Sequence, residues 1–184
     1  MPTKPTSLWH SEHARFARLL DVLEKQLAAF LEGGQPNYRL MLDIVEYLRS
    51  YPDRYHHPRE DAAFARLVAR DPGLKPVVNR LHQEHRVIAS AGEDFRAQLD
   101  AALDGAMIPR EKVEAAAATY LAYYRQHIDA EERSVIPEAA RLLTADDWKQ
   151  VADAVPAETD RLFGEDFDVR YRDLRHQILQ AGPI

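Results

Sequence analysis

Four histidines and two glutamates of this chain fall on helical seams that are otherwise apolar. His13 lies three residues before Phe16 on the stripe Phe16, Leu20, Leu23, Leu27, Phe30. His56 and Glu60 stand four apart, and Phe64 and Leu67 continue their face. His85 interrupts the series Val78, Leu81, Ile88, and His127 and Glu131 sit between Tyr124 and Val135. Residues spaced by three and four share one face of a helix. Four helices therefore each aim an imidazole at a common interior, and two also aim a carboxylate. Ionisable groups are costly in such an interior unless they are paired or bound to metal. One buried histidine is ordinary. Four on four seams, two of them in His-x-x-x-Glu pairs, point to a metal site, where a dication offsets the cost of gathering them.

The donors also speak to the metal. Imidazole and carboxylate without thiolate suit iron, manganese or zinc. A helical His-x-x-x-Glu sends both side chains the same way, so the carboxylate can bridge two ions while the imidazole caps one. Two such pairs give two bridges and hence a dinuclear site, whereas zinc is more often content with one four-ligand site.

Other ionisable and aromatic residues flank this seam. His10, three before His13, reads as a partly exposed first-turn residue within reach of the site. His57 is rotated about 100° from His56 on an ideal helix, which gives it a supporting or surface role. His82 is off the seam for the same reason. Glu12 and Glu84, which precede His13 and His85, are expected to be solvated. Asp61 and Glu132, which follow the bridging carboxylates, face outward or support the ligands. Tyr51, Tyr55, Tyr120 and Tyr124 read as core or hydrogen-bonding residues, and His176, in the tail, is assigned no role.

The elements that must position these groups are helices. The chain is rich in Ala, Leu, Glu and Arg and poor in Gly, and no run alternates as a strand would. Helix A is expected from Ser7 to Gly33-Gly34, and helix B from about Asn37 to Arg70 with a kink or short break at Pro52 and Pro58. Helix C runs from about Pro76 to Gly105 and helix D from about Pro109, disturbed at Pro137. Short loops between long amphipathic helices predict an all-α, up-down-up-down four-helix bundle over residues 1–143. Residues 144–184 form a helical extension packed on it. A capping box at Thr144 to Asp147 opens a helix through about Ala154, and a last helix spans about Asp166 to Gln180.

A net charge of −6 argues against a nucleic-acid or anionic membrane partner. The chain has no cysteine, which excludes disulfides, iron–sulfur clusters and thiol catalysis and fits a reducing cytoplasm. The opening MPTKPTS is short and polar, and no segment reads as a signal peptide or membrane span.

These residues resemble the hemerythrin family in its HHE cation-binding branch. "SEHARFARLLDVLE" (11–24) resembles the first-helix signature and "YHHPREDAAF" (55–64) the second. "HQEHR" (82–86) resembles the third and "HIDAEERSVIPEA" (127–139) the fourth, while 144–166 is similar to an extension found in this branch. By position, the resemblance makes His13, His56, His85 and His127 terminal ligands and Glu60 and Glu131 bridges of two irons joined by an oxo, hydroxo or solvent group. Oxygen-carrying hemerythrins use five histidines, two of them four apart on the third helix. Here Leu81 stands four before His85, a departure from the carriers.

Two six-coordinate irons need about twelve positions. Four imidazoles and two bridging carboxylates fill about eight, and a solvent bridge about two more, leaving roughly two unless His82 or His10 swings in. Such a centre can bind O2, NO or peroxide. Three functions follow. The chain binds or senses a diatomic gas or handles iron, with a protein partner or a second copy reading the change; or it is a redox enzyme acting on peroxide, oxygen or nitric oxide; or it is a helical module held together by a structural metal.

Overall fold

The computed structural model describes residues 5–156, 158–164 and 168–180, and all of its regular structure among them is helical. Helix α1 spans Pro5–Leu31 and α2 spans Tyr38–Ser50, with a π-helical turn at Pro52–His56 leading into α3, His57–Arg70. After a 3-10 turn come α4 (Lys75–Leu103), α5 (Arg110–Ser134), α6 (Ile136–Leu142) and α7 (Ala145–Ala154). A 3-10 turn at Val169–Tyr171 precedes α8 (Arg172–Gln180). The bundle is formed by α1, α2 continued as α3, α4, and α5. Helix α7 packs on α3, and α8 on α1 and α2.

Local chemistry explains most boundaries. Asn37 caps α2 by accepting from Leu40 N at 3.0 Å. Gly105, at φ 82°, takes the left-handed conformation that stops α4. Thr144 and Asp147 form the expected capping box of α7. The expected start of the last helix near Asp166 lies outside the described residues.

The expected interruption of the second helix lies at its prolines: α2 ends at Ser50, and α3 begins at His57 after the π turn. Pro58 has no N–H, so the carbonyl of Arg54 loses its i+4 donor. The chain answers with one wider turn, in which His57 N–H reaches back to Pro52 O. A π turn advances each residue by a smaller angle than an α turn. Residues on either side of it therefore no longer follow a single 3.6 period.

The buried apolar side chains make two clusters. One holds Phe16, Leu20, Leu23, Leu48, Ile88, Phe95 and Tyr124 among others. The other holds Trp9, Phe64, Leu67, Val78, Leu81 and Val135. On each bundle helix the imidazoles and carboxylates fall between a member of one cluster and a member of the other. The polar layer is thus a slab inside the bundle, closed above and below by hydrocarbon.

Candidate metal centre

All six residues expected at the site are buried and come together: His13 on α1, His56 in the π turn, Glu60 on α3, His85 on α4, His127 and Glu131 on α5. Glu60 and Glu131 are fully buried at the middle. His13 Nε2 lies 3.4 Å from Glu60 Oε1 and 3.3 Å from Glu131 Oε2, and His56 Nε2 lies 3.2 Å from Glu60 Oε1. On the other side, His127 Nε2 and His85 Nε2 lie 3.2 and 3.5 Å from Glu131 Oε1, and His85 Nε2 lies 3.9 Å from Glu60 Oε2. Each carboxylate therefore turns one oxygen to each pair of imidazoles.

A further imidazole joins this layer. His57, assigned above to a supporting or surface role, is buried, and its ring stacks on His85 with centroids 4.2 Å apart. Donor atoms of His57, Glu60, His85 and His127 lie close enough together to hold one ion, and those of His13, His56, Glu60 and Glu131 to hold another. The two groups share Glu60. The 100° rotation that set His57 aside holds for an uninterrupted α-helix; the π turn lets adjacent histidines both face inward. The proline pair flanking "DRYHH" was the only sequence signal of it.

Carboxylates hold the outer faces of these rings. His13 Nδ1 is 2.8 Å from Glu132, His56 Nδ1 is 2.8 Å from Glu12, His85 Nδ1 is 3.0 Å from Asp61, and His127 Nδ1 is 3.2 Å from Glu84. His57 Nδ1 lies 3.3 Å from Asp53. An ionised carboxylate only accepts, so Nδ1 carries the proton and Nε2 faces inward. Glu12 and Glu84, expected from the sequence to be solvated, are instead buried, 1% and 9% exposed, because each meets an imidazole of a neighbouring helix. Glu12 also accepts from Tyr51 Oη at 2.8 Å and from Arg59 at 2.9 Å. Asp61 and Glu132 support ligands, as read from the sequence.

His10 and His82 stay at the rim. His10 is half exposed and pairs with Glu132 at 2.6 Å, while His82 Nε2 sits 3.3 Å from Asp61. His176 lies on α8, outside either group. Tyr120 and Tyr124 are core residues, as expected.

Electrostatics follow from burial and company. Burial would raise the pKa of Glu131, but His127, His13 and His85 hold it well below the usual carboxylate range. Burial would likewise raise Glu12, yet His56, Arg59 and Tyr51 bring it to about 2. Burial lowers His57 well below the ordinary imidazole value, and the charges of His85, His56 and His127 push the same way. His57 is thus a neutral imidazole, the form that donates a lone pair.

The residues fit a cation. Both oxygens of Glu60, both of Glu131, and Nε2 of His85 and His127 are buried without a hydrogen-bond partner. Buried polar atoms in native proteins are satisfied with few exceptions. Six orphans converging on one layer are a set of donors that could hold a metal.

The family model of the hemerythrin HHE cation binding domain matches residues 4–139, most of the chain. No curated protein and no solved structure matches it.

Proposed function

The chain belongs to the hemerythrin HHE cation-binding family, and from that membership we propose that it holds a non-haem di-iron centre that binds O2, NO or peroxide. His13, His56, His57, His85 and His127 are the terminal ligands, and Glu60 and Glu131 the bridges. The observation that carries this reading is the orphaned pair of oxygens on each glutamate, one turned to each group of imidazoles. Zinc suits the same donors less well, because it rarely needs two bridges. When bound, the metal pair supplies Lewis acidity and redox capacity toward the small ligand.

The protein's own residues do the rest. The outer carboxylates fix the tautomer and direction of each ring. Phe16, whose ring centroid lies 4.9 Å from that of His56, and Tyr124 close the layer against water. With His57 included, five imidazoles and two bridges fill about nine of roughly twelve positions, and a solvent bridge about two more. About one is left for an exogenous ligand, which suits a single small molecule.

One observation favours a redox enzyme as the second reading. A carboxylate behind an imidazole raises its basicity and favours the oxidised metal, and here four rings are so held. That disposition suits reduction of peroxide or oxygen better than reversible carriage. Anaerobic Fe(II) loading followed by absorption spectra with O2, NO and peroxide separates the readings. A reversible adduct supports binding, sustained turnover supports the enzyme, and inertness to all three contradicts both.

A further inference from the structure

A cavity lies outside the layer of imidazoles and carboxylates, where the bundle meets residues 158–161 and 170–171. It has a volume of about 180 Å³ and opens to solvent between the α2–π turn junction and residues 158–161 and 170–171. That is below the ~300 Å³ at which drug-sized sites begin, so its ligand is small.

Its lining is unusual for an acidic protein. Arg54, Arg161 and Arg170 border it, with Glu158 the one carboxylate among the lining residues. Arg170 is engaged by Asp168 and lies over the Tyr171 ring. Among the described residues, Arg54 and Arg161 form no ion pair, although most arginines here do. Tyr47, Tyr51, Tyr55 and Tyr171 also line the cavity. Guanidinium forks match carboxylates, and ring faces match a planar body.

The cavity is also wired to the metal layer. The Tyr51 ring lines it, and Tyr51 Oη donates to Glu12, whose other oxygen lies 2.8 Å from His56 Nδ1. We propose that this cavity binds a small planar organic carboxylate, held by Arg54 and Arg161 against the tyrosines, and that its occupancy is felt at His56 through Tyr51 and Glu12. That the effect reaches a metal rests on the function proposed above; binding, and its effect on His56, do not.

Calorimetric titration of the full-length, metal-free chain with benzoate, and separately with acetate and inorganic phosphate, tests the site. Saturable benzoate binding is expected, about tenfold tighter than acetate or phosphate, and weakened at least about tenfold in Arg54→Ala/Arg161→Ala, the loss of charge-assisted hydrogen bonds. Arg54→Lys, with a circular dichroism spectrum as control, separates charge loss from misfolding and should retain part of the affinity. In ring-nitrogen NMR spectra of the same metal-free protein, saturating benzoate should shift the His56 resonances, and Tyr51→Phe should abolish that shift when it too is saturated. Absence of saturable benzoate binding, undiminished binding in the double variant, or equal affinity for phosphate overturns the site. An unmoved His56 signal at saturation overturns the coupling.

Discussion

Glu12 lies beside His13 in the sequence, yet its carboxylate serves His56, 2.8 Å away on the next helix. The same crossing recurs round the bundle. Asp61, next to Glu60, holds His85 on α4; Glu84, next to His85, holds His127 on α5; and Glu132, next to Glu131, holds His13 on α1. Each helix lends a carboxylate to the imidazole of the next, and the last closes onto the first. The ligands are thereby positioned by the packing of the helices and not by their own helix alone.

Glu12→Gln should therefore weaken metal binding without unfolding the protein. Loss of such a supporting partner costs about 10–100-fold in affinity. Competition with a chromophoric chelator measures it, with far-UV circular dichroism as the fold control. Affinity unchanged within about twofold would show that the ring of carboxylates is incidental.

The helix C histidines should differ sharply. His85 reaches both bridging glutamates, whereas His82 reaches only Asp61 at the rim. His85→Ala is expected to lose at least one metal and most reactivity; His82→Ala should keep the metal content and change access at most. Elemental analysis of both variants after identical loading decides this, and the reverse ranking would refute the assignment of the seam.

His57 gives a sharper test, because an ideal helix would turn it away. His57→Ala should lower metal content or affinity and alter the absorption of the loaded centre, with far-UV circular dichroism as the fold control. A variant spectroscopically identical to the parent would return His57 to a packing role.

Metal should tighten the middle of the bundle most. Loading ties the π turn at Pro52–His56 and residues 57–60 to residues 127–131 through shared ions. Hydrogen exchange at these amides should slow on loading, more than at the apolar end of α1 near Leu23 and Leu27. Equal protection with and without metal at Glu60 and Glu131 would count against a shared site.

Away from the site, the α7 cap predicts an acid dependence of stability. Arg70, with the backbone and side chain of Thr144, holds the Asp147 pKa down from 3.8 to about 2. A carboxylate depressed in the folded state contributes stability above its unfolded pKa and loses it as pH falls through the folded one. The gap in melting temperature between parent and Asp147→Asn should thus be full near pH 5 and close toward pH 2. A gap independent of pH would show that the cap acts by shape alone.

Periodicity made much of this legible. Phe16, Leu20 and Leu23 placed His13, and Val78, Leu81 and Ile88 placed His85, because those helices are regular. Asn37 and Thr144 marked helix starts through their side-chain chemistry. Periodicity failed at Pro52–His56, where one wider turn rotates His57 inward and breaks the arithmetic on which its exclusion rested. It failed also for Glu12 and Glu84: adjacency in sequence says that a residue is off its own seam, but not that the neighbouring helix offers it an imidazole. Such partners are fixed by helix packing, which one-dimensional spacing does not contain.

The central claim is a dinuclear centre bridged by Glu60 and Glu131. Its most direct test is an anaerobic Fe(II) titration of the metal-free chain, followed by removal of loose metal and elemental analysis. The account predicts about two irons per chain in the parent and at most about one in Glu60→Ala/Glu131→Ala. Saturation at a single metal, or tight uptake of zinc with exclusion of iron, would contradict it.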